Sequence, residues 1–254
     1  MSERVVLSMK WGTLYNARYV NVLYNAVRDH IDGPFRFVCL TDEPDGLASG
    51  IETHPIPDLG LPQERWNHGA WPKLAVFARD LFGLQGRLLF IDLDSVIVDR
   101  LDPFFEAGGA FRAIGGGSGW RRGAAWTDPP RLLSGVFSMD FGAHPDVLDA
   151  FMADKEAAYD RAENEQHFIE QTISSWEPWP DGWVLSFKYH LRRSIGADLI
   201  KPVYDPPPGA KIVAFHGNPR PIDLVGRKRL WSEPPHSVRC PVTWLDDYWE
   251  SYGE

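Results

Sequence analysis

The first forty residues constrain the fold more than any other stretch of this chain. A short apolar run, "RVVLSM" (4–9), precedes "ARYVNVLYNAVRDHI" (17–31), whose apolar residues recur at helical spacing, and then comes the β-rich "FRFVCLT" (35–41). Period, length and residue type predict strand, helix, strand. That order is a βαβ unit with a right-handed crossover and two parallel strands. The chain is therefore expected to be α/β, with a mostly parallel central sheet flanked by helices.

The rest of the chain extends this pattern. Residues 42–70, rich in Pro, Gly and Asp, read as loops around a short strand near "IETHPI". A helix is predicted over 72–83 ("PKLAVFARDLFG"), with Pro72 near its start and Gly83 at its end. In "GRLLFIDLDSVIVD" the run "LLFI" has the character of a central strand buried on both faces. The segment "GGGSGWRRGAAWTDPPR" (115–131) is aperiodic and holds five glycines, so a mobile loop carrying Arg121 and Arg122 is expected. "RLLSGVFSMDF" reads as a strand and residues 145–173 as helical. "DGWVLSFKYHLR" and "AKIVAFHG" read as two more strands, and "PVTWLDDYWESY" as an amphipathic closing segment. No repeat or linker divides the 254 residues, so one domain is expected.

Composition narrows the partners. The chain is 44% hydrophobic and 24% charged, as folded globular chains are. A net charge of −9, from 26 basic and 35 acidic residues, argues against nucleic acid, whose phosphate backbone calls for a basic surplus. Cys39 and Cys240 have neither zinc spacing nor the density of a disulfide scaffold, and Cys39 lies inside an apolar run, as a reduced core thiol would. No window matches a signal peptide or a membrane span, and a cytoplasmic location is expected.

Asp92 and Asp94 form an Asp-x-Asp triplet. With 22 aspartates, chance alone yields about two such triplets, so position carries the information and the bare motif does not. The pair follows a buried strand, and open α/β sheets bind ligands outside the carboxyl ends of their strands. Alternation along a strand would aim residues 92 and 94 to the same side. Two carboxylates there repel unless a cation joins them, and Mg²⁺ or Mn²⁺ pairs one or two protein carboxylates with substrate phosphates. The competing reading is a solvated strand end with two turn aspartates.

With these residues in place, the chain resembles the metal-dependent glycosyltransferases of the nucleotide-sugar (GT-A) fold, especially the glycogenin and lipopolysaccharide galactosyltransferase group. The likeness runs from about residue 4 to 221 and rests on "RLLFIDLDSVIVDRLDPFF", similar to the family's metal-binding strand and the turn after it. It implies that Asp94 ligates the metal and that Asp92 touches both metal and ribose. The loop and helix "KWGTLYNARYVNVLYNAV" are similar to those that hold the nucleobase, implicating Lys10, Trp11, Tyr15 and Tyr19. "WPKLAVF" makes Lys73 a donor-side cation, and "LSGVFSMD" places Ser134 and Gly135 along the sugar pocket. "NEQHFIEQ" resembles the acidic-Gln pair at the transferred sugar, giving Glu165 and Gln166, with Glu where the family has Asp. "VAFHGNPRP" resembles the C-terminal His-Gly-Lys-Pro motif, so His216 is implied as third metal ligand and Arg220 as diphosphate clamp, in a motif about two residues shorter than usual.

The resemblance implies a donor-nucleotide part over about 1–100, a sugar and acceptor part over about 101–254, and retention at the anomeric carbon. Its expected ligands are Mn²⁺ or Mg²⁺, a UDP-linked sugar donor and a saccharide or lipid-linked acceptor. Trp176, Trp179 and Trp183, and on a neighbouring strand Ser186 and Lys188, are candidates for the acceptor side, the tryptophans equally as core fillers. Two other classes stand beside this reading. A sugar nucleotidyltransferase would carry a Gly-rich basic loop after the first strand, where this chain has "SMKWGTLY" with a single glycine. A non-catalytic carbohydrate-binding protein would account for the tryptophans but has no use for paired carboxylates at a strand end.

Overall fold

The computed structural model describes residues 2–116, 131–194, 196–226 and 240–253. The predicted βαβ opening is present: β1 (Arg4–Lys10), α1 (Ala17–Asp29) and β2 (Arg36–Thr41), with β1 and β2 parallel from Val5 opposite Arg36 onwards. Asn16 starts α1, its side chain accepting from the Arg18 N–H at 3.2 Å. Tyr19, Val20, Val22, Leu23, Ala26 and Val27 form the buried stripe of that helix.

The chain continues through β3 (Glu52–His54), α2 (Gln63–Asn67), β4 (Arg87–Ile91), β5 (Ser95–Ile97), α3 (Asp102–Glu106), β6 (Arg112–Gly116) and β7 (Arg131–Asp140). Then follow α4 (Pro145–Ala153), α5 (Lys155–Arg161), α6 (Glu165–Thr172), β8 (Glu177–Pro178), β9 (Val184–Ser186), β10 (Ile212–Ala214), α7 (Pro221–Leu224) and α8 (Thr243–Tyr252). Seven strands form one sheet in the order β3-β2-β1-β4-β7-β6-β8, and β5-β10-β9 form a smaller one.

The large sheet is mixed. Its β3-β2-β1-β4 half is parallel, but β7 runs antiparallel to both β4 and β6, which corrects the mostly parallel expectation. Both faces are covered. Val6, Phe37, Cys39, Leu89 and Ile91 enter the core on the α1 and α8 side, while Val5, Leu7, Val38, Leu40, Leu88 and Phe90 enter the core on the α4 and α6 side. This is why β1, β2 and β4 read as continuous apolar runs. Cys39 lies in that core, where burial pushes its thiol up to about 12.

Two other expectations are corrected, and a third at the ends of its segment alone. Residues 72–83 do not form an α-helix: Trp71–Phe77 make a 3₁₀ turn, Ala78 is extended at φ −58°, ψ 143°, and Phe82 and Gly83 have positive φ. All seven residues of that turn are buried, so the segment has no polar face on which an amphipathic surface helix could run. Strand β9 is shorter than "DGWVLSFKYHLR", because Ser186 ends it: its Oγ accepts from the Tyr189 N–H at 3.3 Å, and Phe187–Leu191 wind into a π-helical turn. In the glycine-rich segment, Gly115 and Gly116 pair with Leu132 and Arg131 as strand residues, while Arg121 and Arg122 lie outside the described residues. No helix among the described residues is long and apolar enough to cross a membrane.

Candidate functional site

Strand β4 ends at Ile91, and Asp92–Asp94 form a turn into β5 in which the Ser95 N–H donates to the Asp92 carbonyl at 3.1 Å. The two aspartates are thus presented by a turn and not by strand alternation, which corrects the geometric argument while keeping both at the carboxyl end of β4.

Asp92 meets three segments distant in sequence. The Lys73 Nζ lies 2.9 Å from Asp92 Oδ1 and 3.2 Å from Glu165 Oε1. Ser134 donates from its hydroxyl to Glu165 Oε1 at 2.6 Å. The Asp92 N–H donates to the Gly135 carbonyl at 2.9 Å, and a Cβ at Gly135 would stand 3.4 Å from Asp92 Oδ2. Lys73, Ser134 and Glu165 are buried, whereas the Asp92 side chain is 34% exposed and opens the cluster to solvent. Burial opposes the charge on Lys73, yet the Asp92 and Glu165 carboxylates outweigh it and hold the ammonium protonated above its ordinary range. Because Ser134 holds a buried carboxylate, Ser134→Ala is expected to destabilise the fold by about 1.5–3 kcal/mol in urea unfolding, the range for hydrogen bonds to charged groups. A loss under about 0.5 kcal/mol would contradict the 2.6 Å contact.

Asp94 belongs to a second group. Its Oδ2 accepts from the Tyr15 hydroxyl at 3.2 Å, and its carbonyl accepts from the Phe215 N–H at 2.9 Å, which sets the end of β10 and His216 beside it. Burial, followed by the neighbouring Asp92 carboxylate, pushes Asp94 up to about 7. His216 is pushed down to about 4 by burial and by the nearby Lys188 and His190, so its imidazole is neutral near pH 7. Its Nε2 lies 2.6 Å from the Ser186 hydroxyl, and Lys188 Nζ donates to the His216 carbonyl.

The remaining expected residues are dispersed around this centre. Lys10 is buried and donates to the Glu43 carbonyl at 2.9 Å, and Trp11 donates to the Trp66 carbonyl at 3.0 Å. Tyr19 is 4% exposed and packed edge-on between Tyr15 and Trp249, so it has no open face for a base to stack on. Gln166 is half-buried in the first turn of α6, next to Glu165. Arg220 is ion-paired with Asp223, its Nε 3.0 Å from Oδ2, and this bond holds its guanidinium above its ordinary value. Trp179 is buried in the core, while Trp183 is partly exposed; both pack on Phe104 with ring centroids 4.7 and 5.2 Å away.

Sequence reasoning did not reach the ion pair joining Lys73 to Glu165, or the hold of Ser186 and Lys188 on His216. Neither is local, and the faint signal for the second was a polar Ser and Lys interrupting an apolar strand pattern.

Among the described residues, no three His, Cys, Asp or Glu side chains are grouped to hold a metal ion. The donor chemistry still fits a divalent cation through the carboxylate pair: both acids are hard oxygen ligands, and burial with mutual repulsion makes Asp94 resist ionisation until a positive charge arrives.

No protein-family model matches the chain, and no curated protein matches it in sequence. Solved structures do match in shape. A galactosyltransferase, LgtC, determined with donor and acceptor sugar analogues, is 12% identical with a TM-score of 0.62, over 98% of this chain and 96% of its own. The glycosyltransferase GlyE of Streptococcus pneumoniae TIGR4 is 11% identical with a TM-score of 0.61, over 98% of this chain and 61% of its own. The bifunctional glycosyltransferase WbbM is 12% identical with a TM-score of 0.61, and this chain spans 50% of its length. At such identities the likeness is one of architecture, and this chain has the GT-A fold seen in these glycosyltransferases.

Proposed function

We propose that the chain is a metal-dependent glycosyltransferase that moves a hexose from a UDP-linked sugar to a saccharide or lipid-linked acceptor, as one catalytic unit in the cytoplasm. The observation that carries this reading is the Lys73–Asp92–Ser134–Glu165 assembly at the carboxyl end of β4, buried except at Asp92, with Asp94 and Tyr15 directly beside it. Four separated segments converge there on the chemistry that a nucleotide-sugar site needs.

In this reading Asp92 and Asp94 hold Mn²⁺ or Mg²⁺, and His216 joins them by giving up its Ser186 hydrogen bond. A bound ion would supply the positive charge that offsets the charge developing on a departing nucleoside diphosphate. Lys73 keeps the Asp92 carboxylate in place, and the Tyr15 hydroxyl orients that of Asp94. Gly135 leaves open the space next to Asp92, where a side chain would crowd the donor sugar. Glu165 Oε1 is shared by Lys73 and Ser134, which suits a group that orients sugar hydroxyls better than one that removes a proton. Retention at the anomeric carbon is the stereochemistry this supports, and proton NMR of the first-formed product reads it directly.

Calorimetric titration with UDP, GDP and CMP, with and without Mn²⁺, tests the assignment. UDP is expected to bind in a Mn²⁺-dependent manner, and Asp94→Ala to abolish the metal enhancement while the protein stays folded. Absence of nucleotide binding, or binding indifferent to both metal and Asp94, would overturn it.

A further inference from the structure

We propose that Lys188, and not Arg220, is the cation that binds the terminal phosphate of the nucleoside diphosphate at this site; the inference rests on the nucleotide-sugar reading above. Arg220 is already committed within its own turn. Its Nε and Nη2 donate to Asp223 at 3.0 and 3.2 Å, and its backbone N–H donates to Asp223 Oδ2 at 2.9 Å, closing the start of α7. Reaching a ligand would cost the Arg220 guanidinium its bidentate ion pair with Asp223.

Lys188 is placed differently. Among the described residues its ammonium hydrogen-bonds a neutral acceptor, the His216 carbonyl, so two of its three donors remain for a ligand. An anionic phosphate oxygen is a stronger partner for an ammonium than a peptide carbonyl. The side chain is half-buried on the π-helical turn that follows β9, and the same turn puts Ser186 Oγ 2.6 Å from His216 Nε2. Gly217, at φ +74°, lies beside Lys188: a Cβ there would stand 3.4 Å from Lys188 Nζ, so the glycine leaves that side of the ammonium uncovered by a side chain of its own. The Phe215 N–H bond to the Asp94 carbonyl ties this His216–Gly217 turn to the carboxylate pair. Lys188 and Asp94 are thus tied by hydrogen bonds to the same Phe215–Gly217 segment.

The test compares nucleotides that differ by one phosphate. In Mn²⁺ buffer, the full chain is titrated with UDP and UMP, and with GDP and GMP, as wild type, Lys188→Met, Lys188→Gln and Arg220→Met, each confirmed as folded by circular dichroism. Loss of Lys188 is expected to weaken the diphosphate at least tenfold and the monophosphate less than threefold. An unchanged ratio of diphosphate to monophosphate affinity in whichever Lys188 variant folds, or the loss appearing in Arg220→Met instead, would overturn the assignment to Lys188. If wild-type protein binds no diphosphate at all, the nucleotide-sugar reading fails and this inference with it. Normal wild-type binding with unaffected Lys188 variants removes this inference alone.

Discussion

Lys73→Met is expected to lower the melting temperature by roughly 6–12 °C, the shift that about 3 kcal/mol produces in a chain of this size. The substitution fills the volume of the lysine stem but removes the charge that Asp92 and Glu165 share at 2.9 and 3.2 Å. Removing one partner of a buried pair typically costs about 3–5 kcal/mol, because the abandoned charge stays desolvated. The lower end applies here because the Asp92 side chain is 34% exposed and water can solvate it in part. Glu165 has no such relief, with its side chain 6% exposed. The double variant Lys73→Met, Glu165→Gln is therefore expected to regain part of the loss. Thermal unfolding followed by circular dichroism decides it, and a single-variant shift under about 2 °C would show that the ammonium does not neutralise this cluster.

Mn²⁺-dependent UDP binding is expected to weaken about 25-fold between pH 7.5 and pH 5.5. In the proposed reading the cation needs Asp94 ionised, and Asp94 is pushed up to about 7, so each unit below that value is expected to cost roughly a factor of ten in affinity. His216 is held at about 4 and stays neutral across this range, so it adds no competing proton. Calorimetry in buffers of different ionisation enthalpy should also register close to one proton released per cation at pH 6 and few above pH 8. Affinity that is flat between pH 5.5 and 7.5 would show that Asp94 does not ligate the ion.

Metal-free stability is a poorer readout, because the two groups act with opposite signs. Asp94 is raised from 3.8, so its stabilising contribution is complete below about pH 4 and is lost as pH rises to about 7. His216 is lowered from 6.5, so its contribution is present above 6.5 and is lost as pH falls to about 4. Over most of the same window the two slopes oppose each other.

Elements whose signals are local follow from neighbouring residues alone. In β1, α1, β2 and β4, apolar spacing and runs of apolar residues buried on both faces point to the same structure, and the position of the Asp-x-Asp triplet at the carboxyl end of an apolar strand was legible with them. Cys39 as a core thiol was legible for the same reason.

Tertiary structure decided what depends on partners far along the chain. The segment 71–77 is buried whole, so packing overrides the helical period that its residues display. β7 is antiparallel to β4 because it pairs Ile91 with Val136 and Arg87 with Asp140, a register no local pattern encodes. Lys73 is an exposed-looking lysine in the sequence, and only the approach of Asp92 and Glu165, 19 and 92 positions away, makes its burial tolerable. Lys188 and Ser186 likewise acquire their places from a π-helical turn that closes on His216. A buried charge is stable only where its counter-charges arrive, and the fold, not the neighbouring sequence, brings them there.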